Sequence, residues 1–336
     1  ERQQQQHSNI IIMKARNPYR MVWALLLGAA TASAQVELTD NLAVSGFVDA
    51  AYTNTDDGST SSESISVDEV EVDLLFNLNT VSGEVHLQST GDTLELEQAF
   101  VTYDLGNGLT LNAGRYLSLL GFESDESVTR FTRSLAYDLA NPLPISLDNN
   151  GSLRAYNDGV KLEAVTEQGW LAVSLVDEVW TDYGPGNIND GALGLELQAG
   201  FTGQNGFTAV IGYGGQDTGE GTPNAELYNI WVSYETGALT LAAEYNDYEN
   251  AGAAGNSGDS LMGLARYALN EKSSITGRYS EENLNDGRTT EKWTIAPTYS
   301  FSDNLAGRIE YSRTEYTGVA NMDEVELFAV EAMFTF

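Results

Sequence analysis

Apolar and polar residues alternate along the chain after residue 35, in segments of about ten residues that are separated by turn residues. In residues 70–78 the two classes fall on opposite parities: Val70, Val72, Leu74, Phe76 and Leu78 against Glu71, Asp73 and Asn77. The segments 192–201, 227–234 and 305–312 repeat this alternation, and no segment shows sustained helical periodicity. A period of two places one face of each strand against an apolar environment, so the pattern predicts an all-β protein.

The connections between these segments alternate in length. Longer polar loops such as 54–64 and 214–225 lie between short turns at 105–108, 166–169, 203–206, 235–238, 269–272 and 301–304. Short turns at one end and long loops at the other are typical of outer-membrane barrels. The expected fold is therefore a transmembrane antiparallel β-barrel of about 16 strands, an even number that returns the chain to its starting side.

The last segment carries an apolar face up to its final residue. Its apolar parity holds Phe328, Val330, Ala332, Phe334 and Phe336. An unpaired apolar edge strand promotes aggregation, and closing the sheet into a barrel removes the edge. We therefore expect this strand to pair with the first strand, residues 41–53, and its phenylalanines to face lipid.

The first 34 residues predict export. Residues 1–12 are a glutamine-rich leader, interpreted as non-native or upstream of the start, and residues 13–34 have the pattern of a signal peptide. A basic segment, an apolar stretch and a small-residue cleavage site follow in order: Lys14, Arg16 and Arg20, then 21–32, then Ala32-Ser33-Ala34. Cleavage after Ala34 would leave a single barrel domain, 35–336, in the outer membrane of a Gram-negative bacterium. Export, with aromatic residues at the segment ends, favours the barrel over a soluble two-sheet sandwich.

The chain is strongly acidic, with 49 acidic and 16 basic residues and a formal net charge of −33. Nucleic acid is excluded as a partner, because phosphate binding needs a basic footprint. Cations are the natural counterparts of such a surface. Two readings remain open: an acidic surface adapted to high salt, and a selective electrostatic function.

The composition leaves little room for catalysis or for a cofactor. The chain has no cysteine, which excludes disulfides and thiolate metal sites. His86 is the one histidine after residue 34, so a hydrolase would have to centre on it. We interpret His86 as an inward polar residue and expect no enzyme activity, no cofactor and no metal centre. Carboxylate-rich loops such as 54–64 could bridge lipopolysaccharide through divalent ions, although their spacing fits no defined motif.

One connection, residues 118–157, is much longer than the others. Long loops in compact folds usually serve a function. This one combines apolar anchors, such as Phe122 and Phe131, with charges of both signs, and residues 126–139 could form a short helix. We expect the loop to fold into the lumen and to narrow it. The alternative is a lid or a subunit contact outside the pore.

The charges on this loop and on the strands define the candidate constriction. The loop contributes Glu123, Asp125, Glu126, Arg130, Arg133 and Asp138, and the wall contributes Arg115, Lys161, Arg266, Arg278 and Arg308. Wall arginines opposite loop carboxylates would create a transverse field that orients and sorts polar solutes. The alternative is that these charges are paired and solvated and only keep the interior wet.

Two stretches resemble a known family. "VSGFVDAAY" in the first strand, and "NAGRYLSLLGFES" leading into "FTRSLAYDLANPLP", resemble the OmpL-like β-barrel porins of Gram-negative outer membranes, most closely over residues 43–160. The general trimeric porins are a close alternative, and in them a folded third loop constricts the pore. The terminal phenylalanine resembles the assembly signal that the barrel-assembly machinery reads. The resemblance implies passive diffusion of small hydrophilic solutes, and it implies a homotrimer.

The expected function is therefore that of an outer-membrane porin for small hydrophilic solutes and ions, with a preference for cations. Its expected partners are outer-membrane lipid and lipopolysaccharide, the barrel-assembly machinery acting through Phe336, and the permeating solutes. A structural or adhesive barrel with a plugged lumen is the first alternative. An outer-membrane hydrolase resting on His86 is the second.

Overall fold

The computed structural model describes residues 35–89, 93–124, 126–136, 156–177, 179, 193–217, 224–251, 256–319 and 323–336. The predicted leader, signal peptide and cleavage site lie outside these residues. The described strands are β1 (Val36–Thr39), β2 (Leu42–Asp56), β3 (Ser61–Leu78), β4 (Val81–Ser89), β5 (Glu95–Gly106), β6 (Leu109–Leu117), β7 (Tyr156–Val165), β8 (Gly169–Val176), β9 (Gly194–Thr202), β10 (Phe207–Gln216), β11 (Ala225–Thr236), β12 (Leu239–Ala251), β13 (Asn256–Ala268), β14 (Ser273–Leu284), β15 (Thr289–Ser302), β16 (Leu305–Thr317) and β17 (Glu324–Thr335). Within these ranges, no helix is long and apolar enough to cross a bilayer.

Strands β2 to β17 form a closed antiparallel barrel of 16 strands, each paired with its neighbours in sequence. The closing pair is β17 with β2, in register from Glu326 opposite Asp56 to Thr335 opposite Phe47. The predictions of an all-β barrel with about 16 strands and of pairing between its first and last strands are therefore confirmed. Closure satisfies the backbone groups that an open edge would leave without partners in lipid.

The short strand β1 was not predicted from the alternation. It pairs with the start of β2, from Val36 opposite Val44, beyond the point where β17 ends. Between the two, Phe336 and Gly46 exchange backbone hydrogen bonds of 2.9 and 3.0 Å. A Cβ on Gly46 would lie 2.3 Å from the Glu71 carbonyl oxygen and 2.7 Å from the Phe336 ring, so closure here requires glycine.

The short connections lie where the turn residues predicted them. The turn between β5 and β6 places Asn107 at φ 56° and Gly108 at φ 79°. Positive φ at successive turn residues is the geometry that joins antiparallel strands tightly, and it favours Asn-Gly. The third long connection joins β6 to β7, and its described residues fold inward, as predicted. Its described residues 126–136 form turns and bends, so the suggested helix is wrong over that range.

The two strand faces differ as the alternation predicts. On β16, Ile309 is 46% exposed on the outer face, whereas its neighbours Arg308 and Glu310 are 2% and 1% exposed. An arginine on the lipid face near mid-membrane would cost about 2–4 kcal/mol, which accounts for the inward side of the charged set. Charged strand residues that share the polar parity of the sequence lie on the inner face: Lys161, Glu163, Glu196, Glu244, Arg266, Arg278, Arg308 and Glu310.

Gln98, which lies on the apolar parity in the sequence, is explained by a β-bulge. In the pairing of β4 with β5, His86 lies opposite Gln98 and the next residue, Leu87, lies opposite Leu96. The extra residue, Glu97, reverses the parity of β5 at this point. Gln98 therefore faces the lumen with His86, although its parity in the sequence matches the outward residues before the bulge.

Candidate pore constriction

The connection from β6 to β7 enters the barrel directly after β6 ends. Ser118 Oγ donates a 2.5 Å hydrogen bond to Glu196 Oε1, and the Leu119 amide donates to Glu196 Oε2 at 3.2 Å. The Phe122 amide donates to Glu244 Oε1 at 3.1 Å. Glu196 and Glu244 lie on the inner faces of β9 and β12, so the first part of the loop lies against the inner wall.

The second part of the loop is held by other strands. The Ser127 amide donates to Glu69 Oε2 of β3 at 3.4 Å. The Arg133 and Ser134 amides donate to the Glu310 carboxylate of β16, at 2.5 and 3.2 Å. Several strands separate β3 and β16 from β9 and β12 around the barrel, so the loop crosses the lumen. Wall carboxylates thus accept hydrogen bonds from buried loop amides that would otherwise be costly to bury.

Arg278 of β14 is the central basic anchor. Its side chain is fully buried, and Nη1 lies 2.6 Å from Glu123 Oε1 in the loop. Its guanidinium also donates to the carbonyl oxygens of Ser134 and Leu135, at 2.8 and 2.7 Å, and to Thr132 Oγ1 at 2.8 Å. A planar fork of five donors suits this arrangement, in which one side chain contacts both the first and the second part of the loop.

Arg308 and Lys292 act in the same way from the neighbouring strands. Arg308 Nε donates to Glu331 Oε2 at 2.5 Å, and its two terminal nitrogens donate to the carbonyl oxygens of Arg130 and Ser127 at 2.8 and 3.1 Å. Lys292 Nζ donates to the Leu135 carbonyl oxygen at 3.2 Å. The wall bases therefore bind loop carbonyls, whereas the wall acids bind loop amides.

Apolar contacts complete the attachment of the loop. Phe122 stacks on Phe131, with ring centroids 6.3 Å apart, and meets Trp231 of β11 edge to face at 5.4 Å. Leu120 is buried against β10, where a Cβ on Gly212 would lie 2.6 Å from a Leu120 methyl carbon. The loop therefore packs on a small apolar core inside the barrel, which includes buried side chains of β11 to β14. The predicted apolar anchors Phe122 and Phe131 pack against this core, and Leu135 of the loop is buried as well.

The predicted constriction residues separate into four groups. Those at the interface of loop and wall are Glu123, Arg130, Arg133, Arg278 and Arg308. Glu126 lies in the same loop, where its carbonyl oxygen accepts the Thr129 amide at 3.2 Å. Asp125 and Asp138 lie outside the described residues. The role of these residues as a constriction that selects solutes remains a proposal.

The other wall bases lie apart from the loop contacts. Lys161 faces the lumen from β7, with Nζ 5.1 Å from the centroid of the Tyr116 ring. Arg266 shares the inward parity of β13 and interacts electrostatically with Glu235. Arg115 was predicted to line the pore, and this is wrong. It lies on the outward parity of β6 and pairs with Asp158 at 2.8 Å. Its position near the end of the strand lets this outward pair reach water.

The expected transverse field also needs correction. Wall arginines were expected to lie opposite loop carboxylates across the pore, but the side chains of Arg278 and Glu123 are in direct contact. Arg308 pairs with Glu331 on the adjacent strand rather than with the loop carboxylates. A buried guanidinium needs a close counter-charge because desolvation is costly, so these arginines fix the loop to the wall.

Several residues of the interface were not among the predicted site residues. They are Asp68, Glu69, Glu196, Glu244, Lys292 and Glu310. The inward position of Glu196, Glu244 and Glu310 could have been predicted from the sequence, because each is an acid on the polar parity of an alternating strand. Parity identifies them as inward residues but does not indicate which of them the loop contacts.

The inner wall carries more acids than bases. Among the described residues, the buried bases of the strands are Arg278, Lys292 and Arg308, with His86 as a further titratable group. The buried acids of the strands are Asp49, Glu69, Glu71, Glu97, Glu163, Glu196, Glu244, Glu282, Glu310 and Glu331. The wall therefore has an excess of carboxylates. Four of these ten acids lie on β2 to β5, which hold none of the buried arginines and lysines named above.

Comparisons with known proteins agree with this geometry. A family model described as "Putative beta-barrel porin-2, OmpL-like" matches residues 70–336, which extends beyond the stretch that carries the resemblance in the sequence. Among curated protein sequences, none matches this chain.

Solved porin structures share the fold. The anion-selective porin from Comamonas acidovorans is 12% identical with a TM-score of 0.65, covering 88% of this chain and 99% of that one. OmpF of Salmonella typhi, solved in complex with daunomycin, is 13% identical with a TM-score of 0.66, covering 90% and 100%. A trimer form of OmpT from Vibrio cholerae is 12% identical with a TM-score of 0.62, covering 88% and 99%. At these identities the likeness concerns the fold alone.

Proposed function

Because the chain belongs to the family of OmpL-like β-barrel porins, we propose that it is an outer-membrane porin through which small hydrophilic solutes and ions diffuse passively, with a preference for cations. The observation that carries the proposal is the inward loop, held across the lumen of a closed barrel by the side chains of its wall. Such a loop reduces the free cross-section, so permeation is filtered by size and by the charges that line the remaining path.

The preference for cations is supported by the acidic excess of the inner wall. Fixed carboxylates along a narrow aqueous path raise the local concentration of cations and lower that of anions. Three bases of the wall, Arg278, Lys292 and Arg308, bind the loop, which reduces their ability to attract anions. An anion-selective porin shares this fold, so the barrel alone does not support a preference for cations, and the proposal rests on the side chains of the wall.

The proposed function as an outer-membrane porin also implies partners for assembly and for permeation. The trimer form of one structural neighbour and the small-molecule complex of another support a homotrimer and the passage of small solutes. We propose export through a signal peptide cleaved after Ala34, insertion by the barrel-assembly machinery through the strand that ends in Phe336, and contact with lipopolysaccharide at the acidic outer loops.

The test is the reversal potential of the purified protein in a planar bilayer under a tenfold KCl gradient. A potential favouring K⁺ is expected, and Asp73→Asn on the inner wall is expected to reduce it. Glu291→Gln, which removes the same charge from the outward parity of β15, is the matched control and is expected to have no effect. Conductance without preference, or equal effects of the two variants, would contradict cation selection in the lumen.

A plugged structural barrel is the second candidate, and one observation favours it. Leu120 of the loop packs in the lumen against a core that includes fully buried Leu227 and Met262, an arrangement that could close part of the barrel. The absence of conductance in the same bilayer experiment would support this candidate. The hydrolase alternative is tested by His86→Ala with an assay of lipid hydrolysis.

A further inference from the structure

The inner wall carries a cluster of side chains with metal-ligand chemistry, and apart from Glu69 its members are not among the loop contacts described above. His86 of β4 is buried, and its Nδ1 lies 2.7 Å from Glu71 Oε1 and 3.2 Å from Asp73 Oδ1, both on β3. Its other nitrogen, Nε2, lies 3.3 Å from Glu84 Oε2. Both imidazole nitrogens are therefore directed at carboxylates.

Two further carboxylates extend the cluster along the wall. Glu69, Glu71 and Glu97 offer carboxylate oxygens that all lie within 4.8 Å of one another, and so do the donor atoms of Glu71, Asp73 and His86. Glu71 belongs to both groups and is completely buried, yet its Oε2 has no hydrogen-bond partner. Such an atom is costly unless a cation or a proton satisfies it.

We propose that this cluster binds one divalent transition-metal ion, with Zn²⁺ as the reference ion, through His86, Glu71 and Asp73. Glu69 and Glu97 complete the site. Metal–nitrogen and metal–oxygen bonds of about 2.0–2.2 Å bring ligand atoms to separations that fall within the spacing observed here. A mixed imidazole and carboxylate donor set favours Zn²⁺ over Ca²⁺, which prefers oxygen ligands alone. The ion would also neutralise part of a compact group of negative charges.

The surroundings of the cluster orient these ligands. Ser45 Oγ donates to Asp73 Oδ2 at 2.9 Å, and Gln88 Nε2 donates to Glu69 Oε1 at 2.6 Å. Outer contacts of this kind hold ligand side chains in place before the ion binds. Glu69 Oε2 also accepts the amide of Ser127, so the site adjoins the loop that crosses the lumen. A metal ion bound at this site would therefore influence the position of the loop.

Calorimetric titration of the detergent-solubilised full chain, after EDTA treatment, tests the proposal. One Zn²⁺ per barrel is expected to bind, more tightly than Ca²⁺. Glu71→Gln and His86→Gln are each expected to weaken binding at least tenfold, because each removes a ligand. Glu163→Gln is the matched control, since it neutralises a buried acid of the inner wall on β7, and it is expected to leave the affinity unchanged.

A spectroscopic measurement separates ligation from bulk charge. Mn²⁺ bound at the site is expected to give electron spin-echo modulation from a coordinated imidazole nitrogen, and His86→Gln is expected to abolish it. Heat-modifiable migration in electrophoresis checks that each variant is a folded barrel, and Asp73→Asn serves if Glu71→Gln does not fold. No Zn²⁺ binding at millimolar concentration, equal affinity for Ca²⁺, or the same loss in Glu163→Gln would overturn the proposal.

Discussion

Two stretches of the inner wall treat buried charge in opposite ways. On β14 to β17, each buried arginine has a carboxylate partner: Arg278 with Glu123 at 2.6 Å, and Arg308 with Glu331 at 2.5 Å. On β2 to β5, four acids lie within 4 Å of His86: Glu71, Asp73, Glu84 and Glu97. Asp49 and Glu69 are two further buried acids on the same strands. Arg133 of the loop also reaches this region, where it pairs with Asp68 at 2.5 Å.

We interpret the difference as a division of the wall between support of the loop and the proposed interaction with cations. Paired and hydrogen-bonded charges can be buried without a large net cost, so β14 to β17 hold the loop rigidly. Close carboxylates without matching bases cost stability, and proteins usually retain such arrangements where function needs them. We therefore regard the balanced wall as the anchor of the loop and the carboxylate-rich wall as the part that interacts with cations.

The largest expected effect comes from Arg278→Met in the balanced wall. The change leaves Glu123 without its counter-charge and removes the donors to the carbonyls of Ser134 and Leu135. Unfolding in urea is expected to show a loss of about 3–5 kcal/mol, and single-channel records are expected to show larger, noisier conductance. Arg313→Met is the control, because its exposed ion pairs with Glu315 and Glu324 are worth less than about 1 kcal/mol. Unchanged conductance in Arg278→Met would refute the anchoring role.

An intermediate effect is expected when glutamate is replaced by glutamine at two places: at the loop partner of the balanced wall and within the carboxylate-rich wall. Glu123→Gln removes the negative charge facing a buried guanidinium and is expected to lower stability by about 2 kcal/mol. Glu71→Gln relieves repulsion among carboxylates within 4.8 Å and, in EDTA, is expected to leave stability equal or higher. Urea midpoints of the two variants, measured side by side, decide the matter. Losses of the same sign would remove the contrast between the two walls.

The smallest effect on stability is expected in the turn between β2 and β3, which lies outside both stretches of the inner wall. Asp57 accepts hydrogen bonds from the amides of Ser59 and Thr60 in the turn after β2, and these lower its pKa. A lowered pKa stabilises the fold above the pKa of the unfolded chain, and this contribution is lost as pH falls through the folded value. Asp57→Asn should therefore differ slightly from the parent in urea unfolding at pH 7, and the difference should vanish in acid. A difference that persists at low pH would point to a cause other than ionisation.

Much of the barrel could be predicted because a membrane imposes a simple rule on each strand. Alternation identified the outward faces of β3, β11 and β16, and turn residues identified the short connections. It failed where one residue changes the parity. The bulge at Glu97 reverses β5, and a similar shift opposite Asp49 lies in β3. Strand β1 was missed because four residues are too few to show a period.

The constriction was less predictable, because its contacts join residues that are far apart in sequence. The inward loop followed from its length and composition, but its partners depend on how it crosses the lumen. Arg115 was placed on the wall because "NAGRYL" alternates too weakly to fix its face. The cluster around His86 depends on the register of β3 with β4, which places Asp73 opposite His86. A pattern along one strand does not contain that register.

Closure between β17 and β2 has a consequence for the order of assembly. The backbone bonds between Phe336 and Gly46 connect the last barrel strand to the first, so this contact has one of the longest sequence separations in the molecule. Contacts of this kind form late, because the entropy of closing the intervening chain must be overcome first. Until then, β2 and β17 are both open edges that can pair with other chains. The hairpins from β3 to β16 can form from neighbouring strands alone. Pairing of β17 with β2 is therefore the step before which an assembly factor would have to shield two open strand edges.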